Sequence, residues 1–120
     1  MTRLPGVPDP GLLLVADVHA LVGRDAEVRE ALADLADGSA GEAGLVSFRV
    51  LEAGAPGEFV LLGAWTDEAA LRDHYRTSHY RRYRQRIGEL LARPSDVVVH
   101  HVRETLHARD PNPPDPGLLG

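Results

Sequence analysis

Two apolar runs of strand length, Leu45–Leu51 and Glu58–Trp65, stand in the middle of the chain with only Glu52-Ala-Gly-Ala-Pro-Gly57 between them. Glycine and proline suit a short reversal, so the two runs should pair antiparallel as a hairpin. What flanks the hairpin then decides the topology. Upstream, Leu12–Ala20 reads as a strand by its length and β-branched content. Between it and the hairpin, Arg24–Asp37 places Val28, Ala31, Leu32 and Leu35 at the spacing of one buried helical stripe, and Gly38–Gly44 breaks that helix. Downstream, Thr66 is predicted to cap a short helix, with Asp67 and Glu68 at the positive end of its dipole. A second helical run, Ser78–Arg93, carries Tyr80, Tyr83, Ile87, Leu90 and Leu91 on one stripe and is closed by Pro94. Asp96–Glu104 reads as the last strand.

The order strand, helix, strand, strand, helix pair, strand is that of a ferredoxin-like α+β domain, βαββαβ. Its four strands should form one antiparallel sheet with the helices on one face. Alternation along the strands makes both faces apolar: Leu12, Leu14, Ala16 and Val18 oppose Leu13 and Val15, while Phe59, Leu61 and Trp65 oppose Val60, Leu62 and Ala64. One helical layer covers one face only, and an apolar face of this size is more than a monomer ordinarily leaves wet. The expected solution is a homodimer that closes two sheets face to face, a dimeric α+β barrel. The domain is expected over residues 12–105. The Pro- and Gly-rich ends, 1–11 and 106–120, are expected to be mobile tails.

Composition narrows the function. There is no cysteine, which excludes disulfides, thiolate metal sites and cysteine nucleophiles. Thirteen basic residues, all arginine, face 18 acidic ones for a formal charge of −5, a balance opposed to nucleic-acid binding. No apolar run approaches the length of a bilayer span or a signal peptide, so a soluble, cytoplasmic protein without a membrane partner is expected. No Ser-His-Asp order, phosphate loop or dinucleotide turn is visible. Gly38, Gly41 and Gly44 follow a helix and precede a strand, the reverse of a phosphate cradle.

Several short segments carry a resemblance. Pro56-Gly57-Glu58-Phe59-Val60-Leu61 enters a strand that ends on Trp65, Thr66-Asp67-Glu68-Ala69 opens a helix, and His74 and Ser78-His79-Tyr80 follow; Gly41-Glu42-Ala43-Gly44-Leu45-Val46-Ser47 leads into the second strand. In this order and spacing the chain resembles the antibiotic biosynthesis monooxygenase family of small dimeric α+β-barrel proteins, over about residues 12 to 103. The resemblance implies a cofactor-independent monooxygenase that oxidises an aromatic, polycyclic phenol, anthrone or quinol to a quinone with dioxygen and no flavin, haem or metal, in natural-product biosynthesis. Relatives also suggest a polyketide cyclase using the same pocket, or a dimeric accessory protein that binds a small molecule without turnover. Leu61 and Leu71 stand where the cofactor-free quinone-forming branch has an Asn and a Tyr in contact with substrate. Gly63 replaces a Glu common in the family and would widen the pocket or the space near its strand. His74 and Arg84 fall near the places of the helix Trp and axial His of the haem-degrading branch, which argues against haem.

Within that frame His74 is the candidate catalytic base. It shares a stripe with Leu71 and Tyr75 facing the sheet, and a neutral imidazole there can remove a phenolic or carbon-bound acidic proton. The plainer alternative is a core histidine bonded to Asp73, a tyrosine or backbone. Trp65 is the candidate wall for an aromatic substrate, or else core filling. Tyr75 and Tyr83 are candidate polar contacts, and Tyr80 a further phenol near them. Of the run Arg72, Arg76, Arg81, Arg82, Arg84 and Arg86, otherwise a solvated helix face, Arg86 is the one expected to reach the pocket and hold a phenolate or carboxylate. His79 is expected to cap the helix or lie at the surface. His100 and His101 point to opposite faces and cannot chelate one ion, and no metal site is expected.

Overall fold

The computed structural model describes residues 8–107 and contains four strands and three helices: β1 Leu12–His19, α1 Asp25–Ser39, β2 Leu45–Glu52, β3 Glu58–Trp65, α2 Glu68–Tyr75, α3 Ser78–Ile87 and β4 Asp96–His101. All pairings are antiparallel in the order β2-β3-β1-β4, the expected ferredoxin-like arrangement. The hairpin forms where Gly57, at φ +80, takes the left-handed conformation that a side chain disfavours, and Ala53 N–H bonds the Glu58 carbonyl at 2.8 Å.

Register fixes the faces. Leu12, Leu14, Ala16 and Val18 pair across from Trp65, Gly63, Leu61 and Phe59, and the buried members of this face pack with Val28, Ala31 and Leu32 of α1, Leu71 of α2 and Ile87 of α3. Sealing side chains of this size against helices contributes about 1.5–3 kcal/mol each before chain entropy is subtracted. On the opposite face lie Leu13, Val15, Val60, Leu62, Val98 and Leu51, and no helix of the described residues packs there; Val98 is 53% and Leu51 48% exposed.

Element ends differ from expectation in ways the caps explain. Asp67, not Thr66, caps α2, its carboxylate accepting from Ala70 N–H at 2.9 Å. Thr77 caps α3 by accepting from Tyr80 N–H, and its hydroxyl donates to the His74 carbonyl at 2.7 Å, tying the end of α2 to the start of α3. α3 stops at Ile87 rather than Arg93, because Gly88 opens a turn that swings Leu91 into a bridge with Ala20. β4 ends at His101, and α1 runs to Ser39. The expected tails fall mainly on residues 1–7 and 108–120, outside the described residues. Gly11, assigned to the first tail, instead extends the sheet, donating to the Trp65 carbonyl and accepting from Val102 N–H at 2.9 Å each.

Candidate active site

A cavity of about 530 Å³ lies between the inner sheet face and α2 and α3. Leu14, Ala16, Leu61, Phe48 and Trp65 form its apolar side, and His74, Tyr75, Tyr80 and Tyr83 supply polar atoms. The volume admits a polycyclic aromatic molecule and falls within the range of small-molecule sites. Of the residues singled out from sequence, His74, Trp65, Tyr75 and Tyr83 meet at this cavity. Arg86 does not. Its guanidinium turns to α1, donating to Asp34 at 3.0 Å and pairing with Glu30 at 3.5 Å, and it borders a separate groove of about 160 Å³. The helix rotation that points Tyr83 inward sends Arg86 toward the carboxylates of α1, and Arg84 lines the cavity in its place. Leu61 lines the cavity, while Leu71 is buried behind it.

His74 is held from all sides. It is 3% exposed, with Trp65 at 4.9 Å, Tyr80 at 5.2 Å, Tyr75 at 5.6 Å and Phe48 at 6.1 Å between ring centres. Its Nδ1 meets Glu42 Oε2 at 2.7 Å, not Asp73. The same oxygen meets His79 Nε2 at 2.6 Å, and Glu42 Oε1 accepts from the Trp65 indole N–H at 3.2 Å. Burial pushes the Glu42 carboxyl up, but the hydrogen bonds from His74, His79 and Trp65 outweigh it and hold the group below the ordinary carboxyl range. Glu42 is therefore an ionised acceptor at neutral pH, which places a proton on Nδ1 of His74 and the lone pair of the neutral ring on Nε2. That Nε2 has no partner among the described residues and is not sealed from solvent, and its ring lines the cavity.

Burial, with Tyr80 nearby, pushes the Tyr75 phenol up and the Tyr83 phenol up to about 12, so both stay O–H donors at neutral pH.

Glu42 and His79 are the functional residues that sequence reasoning missed. Glu42 sits in the turn between α1 and β2, where its N–H bonds the Ser39 carbonyl at 3.0 Å and its carbonyl accepts from Leu45 N–H at 3.2 Å. It lies 32 positions from His74, beyond any helical or strand period. His79, expected as a cap or surface residue, instead reaches Glu42 because Gly38 lets the start of α3 come close: a Cβ there would lie 2.6 Å from the His79 Cβ. The only available signal was Gly41-Glu42 ahead of β2 together with a glycine near the end of α1. Of the two readings of Gly63, the structure favours space near its strand over a wider pocket: the Trp65 ring lies over it, and a Cβ would come within 2.5 Å of that ring.

Among the described residues, Glu42, His74 and His79 are also the group whose ligand atoms, all within 4.8 Å of one another, could hold a metal ion. Sequence spacing gave no hint of it. The three hydrogen bonds to Glu42 account for the arrangement as it stands, and neither Glu42 nor His79 lines the cavity.

Residues 12–86 match the model of the family described as antibiotic biosynthesis monooxygenase. The chain belongs to the antibiotic biosynthesis monooxygenase family. Rv0793 of Mycobacterium tuberculosis is 40% identical over 58 residues, 48% of this chain and 57% of that protein. YcnE of Bacillus subtilis is 41% identical over 46 residues, 38% of this chain and 48% of that protein. Both carry the provisional name of monooxygenase, and the matched segments span about half the length of each. The solved structure of Rv0793 superimposes with a TM-score of 0.76 at 27% identity, covering 80% of this chain and 98% of that one. A family member from Nitrosomonas europaea, at TM-score 0.73 and 22% identity over 76% of this chain and 97% of that one, shares the fold. No helix among the described residues is long and apolar enough to cross a membrane.

Proposed function

We propose that this antibiotic biosynthesis monooxygenase family member is a cofactor-independent monooxygenase that converts a polycyclic phenol, anthrone or quinol to a quinone with dioxygen. The observation that carries the reading is the setting of His74: Nδ1 fixed on an ionised Glu42, Nε2 without a partner among the described residues, and the ring on the wall of an aromatic-lined cavity. This is the arrangement of a general base held in one tautomer by a carboxylate.

For an anthrone, Nε2 takes a proton from the reacting CH2. The carbanion gives one electron to dioxygen, and recombination forms a C–O bond. The imidazolium returns the proton to give a hydroperoxide, which loses water to leave a carbonyl. One oxygen atom enters the product and the other leaves as water, with both pairs of electrons drawn from the two C–H bonds. The protein supplies a base, phenolic donors at Tyr75, Tyr80 and Tyr83 for charge developing on oxygen, and apolar walls that limit water. Glu42 is a positioning residue, since it acts through His74.

A second copy of the chain is proposed as the cover of the outer sheet face, where Val98, Leu51 and their neighbours form an apolar surface. Roughly 800 Å² per partner is the ordinary size of such an interface.

Oxygen uptake with a hydroxyanthrone, using flavin-free and metal-stripped protein, tests the activity. Stoichiometric uptake with quinone formation, lost in His74→Ala, is the expected result. Turnover without uptake would shift the assignment to cyclisation through the same base. Binding without turnover would leave an accessory role, which Leu61 on the cavity wall in place of a polar contact favours.

A further inference from the structure

The chain is acidic, at net −5 with 18 carboxylates, yet among the described residues no Asp or Glu lines the cavity, and two arginines do. Arg84, exposed on α3, makes no hydrogen bond or ion pair with any described residue. Arg93, in the turn before β4, has no carboxylate partner among the described residues; its guanidinium donates to His19 Nε2 at 2.8 Å. Among the described residues Arg24 pairs with Glu27, Arg29 with Glu52, Arg72 with Glu68 and Arg86 with Asp34 and Glu30, and none of these four lines the cavity. Arg84, near the end of α3, and Arg93, within the Gly88–Ser95 stretch that follows it, both line the cavity. Gly88, between them, has ordinary helical φ and ψ, and a Cβ built there meets nothing within 4 Å, so this end is roomy.

Resting on the pocket assignment above, we infer that the cavity selects an aromatic ligand bearing an anionic, carboxylate-type group, with its ring system against Trp65 and Phe48 and its anion at the Arg84 and Arg93 mouth. A guanidinium presents a planar fork that matches a carboxylate and gains strength from charge on both partners. The absence of any competing acid on the cavity wall leaves those donors for a ligand. At the solvent edge the anion keeps part of its hydration, so the preference is moderate and falls with salt. The reacting carbon stays at the His74 end, and the acid is a handle that sets which way the ring system enters.

Rhein and aloe-emodin are dihydroxyanthraquinones that differ in carrying a carboxylate or a hydroxymethyl group, and the single tryptophan, Trp65, reports on the cavity by fluorescence quenching. At low salt rhein should bind about tenfold more tightly than aloe-emodin, and the gap should narrow as salt rises. In the double variant Arg84→Gln, Arg93→Gln the gap should close, with aloe-emodin affinity unchanged. Gly88→Trp should weaken both ligands by filling the mouth. Equal affinities in the native protein, or a preference for rhein that survives in the double variant, would overturn the anionic handle while leaving the oxygenase reading to the oxygen-uptake experiment. Absence of quenching by either compound would overturn it as well.

Discussion

On the helix side of the sheet, Leu14, Leu61 and Trp65 meet a layer of side chains that carries its own polar centre, in which Glu42 satisfies three N–H donors at once. On the other side, Leu13, Val15, Leu62 and Val98 repeat the same apolar alternation with no helix of the described residues laid over them. The strands encode the two faces equally, so alternation alone does not distinguish a wall of a site from an unfinished interface. The difference comes from what lies opposite. The helix side has been closed by long-range contacts that also leave a cavity, while the outer side carries no helix among the described residues.

The sharpest way to break that contrast is at the polar centre. His74→Ala removes the base and should lower the rate of oxygen consumption by about 10²–10⁴-fold, the usual share of general-base catalysis; a smaller loss would reduce His74 to a packing residue. Glu42→Gln keeps the shape but replaces an ionised acceptor. It should cost about 2 kcal/mol of stability at neutral pH, read as a lower denaturant midpoint, because hydrogen bonds to a charged group are worth more than neutral ones. The pH dependence gives the sign. The Glu42 carboxyl is lowered by folding, so its contribution is fully present above the ordinary carboxyl range and is lost as pH falls through the lowered value. The gap between native protein and Glu42→Gln should therefore shrink on acidification. A gap that stays constant with pH would show that the charge is not what Glu42 contributes.

The outer face is probed without touching the core. Val98→Asp introduces a charge at a position 53% exposed in the single chain, so the fold itself should change by less than about 0.5 kcal/mol. If a second copy covers this face, light scattering at micromolar concentration should show the mass of the native protein fall by half in the variant. A native protein that already scatters as a monomer would leave the two faces different for some other reason.

Reading the sequence gave the topology because each element announces itself within a few residues: the Gly-Pro hairpin loop, the Val28, Ala31, Leu32, Leu35 stripe, the alternation on β1 and β3. Those are local signals of burial and turn chemistry. That His74 and Trp65 would face the same interior was legible for the same reason, since His74 shares the inward stripe of α2 with Leu71 and Trp65 ends an apolar strand. What could not be read was the pairing of His74 with Glu42 and His79, which depends on how the turn after α1 meets the start of α3 and leaves no periodic trace. Arg86 failed as a pocket residue because one helical position decides between the cavity and the carboxylates of Asp34 and Glu30. Thr66 and Asp67 are both competent caps, and the choice between them rests on backbone geometry, Asp67 being extended at φ −159.

The smallest effect is expected at Tyr83, on the helix side but at the cavity rather than in the sealed layer. Burial first, then Tyr80, push its phenol up to about 12, against a partial offset from Arg84. A group that holds its proton more tightly folded than unfolded adds stability that is fully present below its unfolded value, near 10, and is lost as pH rises through the folded value. Tyr83→Phe has no such proton to lose. Native protein and variant should thus unfold at similar denaturant concentration at neutral pH, and the native protein should lose ground to Tyr83→Phe between about pH 10 and 12. Because the side chain borders the cavity, a ligand stacked on Trp65 would bury the phenol further and move the alkaline loss to still higher pH. Parallel alkaline titrations of the two proteins, with and without aloe-emodin, separate a phenol that faces the ligand from one that only packs against the helices.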